Sequence, residues 1–416
     1  MDERELYGTL LELEAPWTVR EVDVNRQDRI VHVHLVRTEG ARNPACPRCG
    51  VARPIYDHRN REWRHLDTMQ FETRLHAAVP RVECPTHGVL QVEVPWAGPR
   101  SRFTMLFETA TIDWLLEASL TAVARRLGIT WDESWTIMRR AVGRGLDRRQ
   151  IDDLHEVGVD EKSFQRRHDY VTVVNDLIGS RVLYVADDRK QESLEAFWAM
   201  GLTNAQRTGI EAIAMDMWEP YVQATLARIP DAESKIVFDR FHIAKHLNDG
   251  VDRVRRAEAR ELRATGDDRL VGTKYTWLRA PDNFDDDAWR KFAPLRRSNL
   301  KVARAWAIKE TAAKLWDYRY VGAARTFFRR WYFWATHSRL TPMIEKAKMI
   351  KRRLANVLTY IKHRITNATS EGLNSKIQWI RYTARGFRNR ENFKTAIYFH
   401  CGRLDLYPLP THTKAG

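Results

Sequence analysis

Val157-Gly-Val-Asp160 begins the stretch of sequence that decides the fold. Two β-type runs follow it, Tyr170-Val-Thr-Val-Val174 and Val182-Leu-Tyr-Val185, and the turn residues Gly179-Ser180 between them predict a hairpin. Helical and strand patterns then alternate as far as Phe238. The predicted order is strand, strand, strand, helix, strand, helix, strand. This order is typical of an α/β layer architecture.

The composition changes on both sides of this stretch. Short strands and turns dominate the chain before it, amphipathic helices come next, and an Arg-rich, Trp-rich helical block follows it. We therefore predict a multidomain α/β protein. The predicted segments are 1–99, 100–150, 151–245, 246–362 and 363–416.

The charge balance indicates the kind of partner. The 416 residues include 69 Lys and Arg against 54 Asp and Glu, which leaves a net charge of +15. Such a surplus attracts phosphate backbones or anionic membranes. No stretch approaches the roughly 20 apolar residues that a membrane span needs, and acidic residues stand where a secretory signal would carry basic ones. With only four cysteines, which fit a reducing compartment, we predict a cytoplasmic protein that binds nucleic acid and no membrane.

Two short motifs near the N-terminus predict a metal site. Cys46-Pro-Arg-Cys49-Gly50 and Cys84-Pro-Thr-His87-Gly88 each place two ligands around a tight turn, with a glycine that lets the backbone fold under a metal. Cys46, Cys49, Cys84 and His87 would together supply the four ligands of a structural Zn²⁺. The alternative is that His87 is a surface turn residue and Cys84 a buried thiol. Lesser candidates for the fourth ligand are His58, His65 and His76.

Residues 121–138 predict a helix-turn-helix. Gly128 supplies the turn, Ala124 allows a close helix crossing, and Thr130 or Asp132 begins the second helix. The second helix would then read a DNA groove, although an ordinary helical hairpin has the same pattern. The predicted DNA contacts are Arg125, Arg126, Thr130, Trp131 and Ser134.

Three acidic residues stand at the ends of predicted elements. Asp160 follows the first strand of the α/β stretch, Asp216 follows the fourth, and Glu371 opens a late helix. In an RNase-H-like sheet the first and fourth strands are neighbours, so their terminal acids would face each other. Three such carboxylates suit a pair of Mg²⁺ ions and phosphodiester displacement. Asp also commonly ends strands for turn reasons alone, and Asp239, after the next strand, is an alternative second acid.

Several stretches resemble blocks of bacterial insertion-sequence transposases of the ISL-three family. They are Gly158-Val-Asp-Glu-Lys-Ser163, Ala214-Met-Asp-Met-Trp-Glu-Pro-Tyr221, Val237-Phe-Asp-Arg-Phe-His-Ile-Ala-Lys245, Asn367-Ala-Thr-Ser-Glu-Gly-Leu-Asn-Ser-Lys-Ile377 and Arg385-Gly-Phe-Arg-Asn389. The cysteine motifs and the helix-turn-helix occur in the family in the same order. The resemblance therefore covers nearly the whole chain.

The resemblance implies a DDE triad on an RNase-H-like fold. By motif position the acids are Asp160, Asp216 and Glu371, with Asp239 and His242 in a supporting D-x-x-H stretch. It also implies an all-helical insertion, so that the predicted segments become a zinc-binding domain, a helix-turn-helix domain and a catalytic domain in two parts around residues 246–362. The second cysteine motif departs from the family, since it ends in histidine where many relatives have cysteine.

The activity that the resemblance implies is DNA transposition dependent on Mg²⁺ or Mn²⁺. Cleavage at a transposon end frees a 3′ hydroxyl, which then attacks target DNA, and two ends require a homodimer or larger assembly. Trp331 or Trp334 would stack on a displaced base unless these rings belong to the core. The alternatives are a non-catalytic zinc-dependent DNA-binding regulator and a structure-specific nuclease without strand transfer. Further predicted DNA contacts are Arg325, Arg329, Arg330, Lys376, Arg385 and Arg388.

Overall fold

The structure is a computed structural model, and its chain divides into two compact units. One unit contains the residues up to Arg149 together with those from Tyr398 onward, and the other contains Gln150–Ile397. The residues that the structure describes are 2–151, 153–165, 169–365 and 368–408.

A five-stranded sheet forms the N-terminal part of the first unit. Its order is β1-β2-β4-β3 with β5 paired to β4, and only the β2·β4 pair is parallel. Val31, Val33 and Leu35 alternate along β2 and bury one face of the sheet. Trp17, Trp63 and Trp96 lie in the same core. The elements are α1 (Glu3–Leu10), β1 (Trp17–Asn25), β2 (Ile30–Arg37), β3 (Ile55–Thr68), β4 (Phe71–Cys84) and β5 (Gly88–Gln91).

Three helices complete this part of the first unit: α2 (Met105–Glu117), α3 (Leu120–Leu127) and α4 (Trp131–Arg148). Gly128 ends α3 at a φ of +65°, in the left-handed region that glycine adopts without strain. Thr130 begins α4 through a capping box with Glu133. The predicted turn and the predicted Thr130 cap are therefore confirmed.

The C-terminal residues of the described chain pack in the first unit, and this differs from the predicted segment 363–416. Leu406 and Phe399 are buried in the same core as the helices. Arg144 on α4 donates to the Leu406 carbonyl at 2.8 Å, and the Tyr407 hydroxyl donates to Asp113 at 2.7 Å. These contacts join residues that are 262 and 294 positions apart in the chain, so a local sequence pattern does not reveal them.

A second five-stranded sheet forms the centre of the second unit. Its order is β10-β9-β6-β7-β8, in which β6 pairs in parallel with β9 and antiparallel with β7. The predicted order of strands and helices is confirmed, and the first and fourth strands are neighbours as predicted. The elements are β6 (Glu156–Gln165), β7 (Asp169–Asp176), β8 (Arg181–Ala186), α5 (Gln191–Ala196), α6 (Asn204–Gly209), β9 (Ala212–Met215), α7 (Glu219–Arg228), α8 (Ala232–Lys235) and β10 (Ile236–Phe238).

Strand β6 is longer than the sequence predicted. Asp160 does not end it, because antiparallel pairing with β7 continues from Asp160 opposite Val173 to the end of the strand. Parallel pairing with β9 stops earlier, at Gly158 opposite Ala214. Asp160 therefore lies just past the end of its parallel neighbour.

The elements after β10 are helical. Apolar residues from Ile243 to Ile365 share one core with the sheet, and Trp277, Trp306 and Trp331 are buried in it. No helix in the described part of the chain is long and apolar enough to cross a membrane. The helices are α9 (Arg240–Arg263), α10 (Lys274–Leu278), α11 (Asp286–Arg297), α12 (Lys301–Ala313), α13 (Val321–Thr336), α14 (Thr341–Arg352), α15 (Leu354–His363), α16 (Ala368–Thr383) and α17 (Arg390–Cys401).

Candidate functional site

Three aspartates converge at one end of the parallel strands in the second unit. Asp216 follows β9 directly, and Asp160 stands at the equivalent place on β6, two residues past the paired Gly158 and Ala214. Asp239 follows β10, and its backbone N–H donates to the Met215 carbonyl at 3.1 Å. Carboxyl ends of parallel strands meet at one edge of a sheet, which explains why distant residues come together here.

Asp160 is held by side chains that neutralise and orient it. It is only 8% exposed, so its charge requires partners. The Lys162 ammonium lies 2.5 Å from Oδ2 of Asp160, and the Asn374 side-chain amide donates to the same oxygen at 3.2 Å. The Glu161 backbone N–H donates to Oδ1 at 2.8 Å. The carboxylate is therefore fixed in orientation.

Asp216 and His242 form a second pair. Nδ1 of His242 lies 3.3 Å from Oδ2 of Asp216. Burial by itself would raise the pKa of Asp216, but the hydrogen bond and the positive charge of His242 outweigh burial and lower it. Burial would likewise lower the pKa of His242, yet Asp216, and then Asp160 and Asp239, raise it. All three carboxylates thus raise the pKa of the same imidazole.

Asp239 has a structural task in addition to its charge. Its side chain accepts the Phe241 backbone N–H at 2.9 Å and so caps α9. This cap begins the helix whose first turn carries His242. Asp239 and His242 therefore lie together at the start of α9. Their predicted supporting role stays a prediction.

The third predicted acid lies on α16. Glu371 belongs to this helix, but its side chain lies outside the described residues, as does Asn367. Asn374, three residues after Glu371 in the same helix, contacts Asp160. Sequence reasoning missed Asn374 and Lys162, although both fall within stretches that carry the family resemblance.

The four predicted zinc ligands form one cluster in the first unit. The ligand atoms of Cys46, Cys49, Cys84 and His87 all lie within 4.8 Å of one another. The backbone N–H of Thr86 and then the His87 side chain lower the pKa of the Cys84 thiol to about 6, against the opposing effect of burial. A thiolate is the form that binds metal. Gly50 and Gly88 follow the two ligand pairs at φ of +70° and +71°.

The three lesser histidine candidates do not belong to this cluster. His65 is buried, and its Nδ1 lies 2.9 Å from the Thr104 hydroxyl. His76 lies 2.9 Å from His32, and His58 is paired opposite Pro80 in the sheet. Cys46, Cys49, Cys84 and His87 are the cluster of metal-ligand type found among the described residues.

The helix-turn-helix residues divide by exposure. Arg125, Arg126 and Trp131 are exposed, and the Arg126 guanidinium lies over the Trp114 ring. Ser134 is fully buried, so its prediction as a DNA contact is wrong. Its place on α4 coincides with the apolar stripe that faces the core.

Thr130 is exposed but already engaged. Its hydroxyl takes part in the capping box with Glu133, donating to the carboxylate at 2.9 Å. Contact with DNA would therefore compete with the cap that begins α4.

The predicted contacts in the helical block also divide by exposure. Trp331 is buried and donates its indole N–H to the Ile308 carbonyl at 2.9 Å, so it is a core residue, whereas Trp334 is 41% exposed. The cations predicted to contact DNA, in this block and after it, are all exposed: Arg325, Arg329, Arg330, Lys376, Arg385 and Arg388.

Comparisons with known protein families match three consecutive parts of the chain. The model of the ISL3 family of DDE transposases, described as "Transposase", matches residues 157–397. A model for the zinc-finger of transposase IS204/IS1001/IS1096/IS1165 matches residues 42–87. A model for the helix-turn-helix domain of transposase family ISL3 matches residues 92–142. The first of these covers more than half of the chain.

Two similar proteins extend over most of the chain. The transposase for insertion sequence element IS1001 of Bordetella parapertussis is 28% identical over 370 residues, which span 88% of this chain and 90% of that protein. The transposase for insertion sequence element IS1557 of Mycobacterium tuberculosis (strain ATCC 25618 / H37Rv) is 28% identical over 420 residues, which span 92% of each.

Proposed function

This chain belongs to the ISL3 family of DDE transposases, and from that premise we propose that Asp160, Asp216 and Glu371 form its catalytic triad on an RNase-H-like sheet. Membership of this family establishes that the chain is a transposase, an enzyme that cleaves DNA. Its helix-turn-helix domain binds DNA. The assignment of individual residues is ours. The alternative of a non-catalytic DNA-binding regulator is not favoured, because a protein that only binds DNA does not require a cluster of carboxylates.

The observation that carries the proposal is the position of His242. It pairs with Asp216 at 3.3 Å, and the charges of Asp160 and Asp239 also act on it. The two strand acids therefore share one electrostatic environment. Glu371 joins them in the proposal because Asn374, three residues later on the same helix, reaches Asp160.

The donor set fits Mg²⁺ or Mn²⁺. Carboxylate oxygens are the ligands that these hard cations prefer, and the buried carboxylates here are compensated by Lys162 and His242. When bound, two such ions would activate the attacking oxygen and stabilise the leaving oxygen in phosphodiester displacement.

The chain's own residues perform the positioning. Lys162 and Asn374 hold the Asp160 carboxylate in one orientation, and His242 holds Asp216. In-line displacement at phosphorus depends largely on positioning and on charge neutralisation. A preorganised carboxylate frame lowers the cost of bringing the reacting groups into line.

The remaining elements have proposed tasks around this centre. Residues 246–362 form the helical insertion in the catalytic domain, and its Arg325, Arg329 and Arg330 hold flanking DNA. Lys376, Arg385 and Arg388 contact DNA beside the acid-bearing helix. A structural Zn²⁺ bound by Cys46, Cys49, Cys84 and His87 stabilises the first unit.

The ends of the insertion sequence are the proposed DNA ligand of the first unit. Arg125, Arg126 and Trp131 are exposed around the turn of the helix-turn-helix and would contact the terminal inverted repeats. Because two ends must be brought together, a homodimer or larger assembly acts on them.

The test is Asp160→Asn, assayed on DNA that carries the terminal inverted repeat. With Mg²⁺ we expect loss of strand cleavage and nearly unchanged binding to the repeat, because only the metal-binding charge is removed. Asp187→Asn is the matched control, since Asp187 is an exposed aspartate of the same domain that pairs with Lys394. Full cleavage by Asp160→Asn would refute the assignment. Joined transposon–target products, as opposed to nicks alone, distinguish the transposase from a nuclease without strand transfer.

A further inference from the structure

A cavity of about 810 Å³ in the second unit opens beside the catalytic acids. Its lining includes Asp160 of the proposed triad, Asp239, and residues of helices α12 and α13. Its volume lies within the range of pockets that bind a small ligand. The same cavity is therefore lined both by a proposed catalytic acid and by residues of the helical block.

An exposed aromatic ring stands among the residues that line this cavity. Phe241 is 66% exposed although it lies between Asp239 and His242 in the chain. Its ring makes an edge contact with the His242 ring, with 5.8 Å between the centroids. The other side of this ring is open to solvent and is available to stack on a planar ligand.

The lining of the cavity combines aromatic rings with buried polar atoms. Trp316 and Phe327 are half-buried in its lining. The side-chain oxygens of Asn248 and Asn374 are buried, and they have no hydrogen-bond partner within the residues that the structure describes. Buried acceptors of this kind require donors. A ligand that satisfies them carries N–H or O–H donors, as the edge of a nucleobase does.

A buried cation adds to this polar character. The Lys309 ammonium lines the cavity, 3.3 Å from the carbonyl oxygens of Trp277 and Leu278 and 2.6 Å from Glu310. These groups already pair with one another, and they give the lining both donors and acceptors, which the edge of a nucleobase also offers.

We propose that the cavity receives one unstacked nucleobase of the DNA strand whose phosphate lies at the acids. The inference rests on the proposed function, which places that phosphate beside Asp160. The sugar and phosphate stay at the mouth, Phe241 stacks on the departing or neighbouring base, and the extruded base enters between Trp316 and Phe327. Stacking on these rings offsets the cost of removing the base from the duplex.

Crosslinking tests the proposal directly. The probe is a duplex with the terminal inverted repeat and flanking DNA, in which 5-iodouracil replaces one base at a time across the cleavage point. The full-length protein is irradiated with the duplex in EDTA, and crosslinked peptides are identified by mass spectrometry. We expect one position to crosslink to Trp316 or Phe327. Crosslinks confined to residues outside the cavity would overturn the proposal.

A variant that fills the cavity provides a second test. Ala312→Phe adds a ring to the lining, and Thr311→Phe adds the same ring at the adjacent position, which is not part of the lining. We expect Ala312→Phe, but not Thr311→Phe, to lose the crosslink and to slow cleavage about tenfold. An unchanged crosslink in Ala312→Phe would count against the pocket.

Two further measurements keep the result interpretable. Should Ala312→Phe fail to fold, Phe327→Ala removes a ring without adding volume and is expected to weaken the same crosslink. Asp160→Asn is expected to keep the crosslink while it loses cleavage. Cleavage by Asp160→Asn would therefore refute the triad and leave the crosslink to decide on the pocket separately.

Discussion

The Lys162 ammonium lies 2.5 Å from the Oδ2 atom of Asp160. The oxygen that a divalent cation would bind thus already has a positive partner two residues away on the same strand. The pair is largely buried, with 15% and 10% of the two side chains exposed. Lys162 therefore stabilises the folded site without metal and opposes the metal electrostatically.

We predict that Lys162→Gln binds Mn²⁺ more tightly. Removing a positive charge a few ångströms from the cation weakens repulsion, and we expect about a tenfold gain in affinity, or about 1.4 kcal/mol. Calorimetric titration of the metal-free protein measures it. Lys190→Gln is the control, because Lys190 is an exposed lysine paired with Asp188. Equal Mn²⁺ affinity in wild type and Lys162→Gln would show that the ammonium moves away at no cost.

The stability of the first unit should fall in mild acid because of His65. Burial, followed by the charge of Arg64, lowers the pKa of His65 from 6.5 to about 4. The unfolded chain then binds the extra proton between these values. Keeping His65 neutral therefore costs no free energy of unfolding above pH 6.5. As the pH falls toward 4, the free energy of unfolding decreases by about 3 kcal/mol at most.

Urea denaturation at pH 7 and pH 5 measures this dependence. Zinc binding also weakens in acid, so the comparison is made against His65→Gln, which keeps the zinc cluster but has no imidazole at position 65. We expect the wild type to lose more stability than the variant between the two pH values. An equal loss of stability in the two proteins between pH 7 and pH 5 would show that His65 does not cause the pH dependence.

Zinc should bind to one site per chain through the cysteine cluster. Cys46→Ser removes one of the four ligands that lie within 4.8 Å of each other, so we expect loss of zinc and local unfolding around the two cysteine motifs. Metal analysis after dialysis and a thermal melt measure both effects. Cys401→Ser is the control, since Cys401 is a buried cysteine remote in sequence from the cluster. Full zinc content in Cys46→Ser would point to a different ligand set.

Arg125 and Ser134 should differ in their effect on DNA binding. Arg125 is exposed, whereas Ser134 is buried and its hydroxyl has no hydrogen-bond partner among the described residues. We expect Arg125→Ala to weaken binding and to lower the slope of log affinity against log salt by about 1, as for a lost phosphate contact. Ser134→Ala should leave both quantities unchanged. A reduced salt slope for Ser134→Ala would contradict the buried orientation.

Gly145 should resist substitution because the C-terminal residues pack on it. A Cβ at Gly145 would lie 2.6 Å from Cβ of Leu404 and 3.1 Å from the Asp405 carbonyl oxygen, whereas one at Gly143 would meet nothing within 4 Å. We expect Gly145→Ala to destabilise the first unit by about 1–3 kcal/mol. Gly143→Ala should stabilise it by up to about 1 kcal/mol. Thermal melts of both variants measure the difference, and a stabilised Gly145→Ala would argue against the packing of Leu404.

Local patterns were sufficient for much of the secondary structure. Alternating valines in the stretch 157–185 predicted three strands, and Gly128 with Thr130 predicted the helix-turn-helix junction. These predictions succeeded because strand alternation and helix caps depend on residues a few positions apart. The prediction for Ser134 failed because exposure on a helix depends on which face meets the core.

The carboxylate site required more than local patterns. Position at strand ends and the family resemblance together singled out Asp160 and Asp216, but Asp160 proved to lie inside a longer strand whose parallel partner ends first. Lys162 and Asn374 were not predicted at all. Asn374 is 214 residues from Asp160 in the chain, and no short-range rule connects them.

The amino-acid sequence by itself determined the kinds of element, their order, the spacing of the cysteine motifs and the residues available for chemistry. The tertiary structure alone decided which charges meet, which face of α4 packs against the core, and where the last residues of the chain pack. The physical reason is distance. Propensities, caps and periodicity act over one or two turns of the chain, whereas ion pairs, burial and cavities arise only when remote segments are packed together.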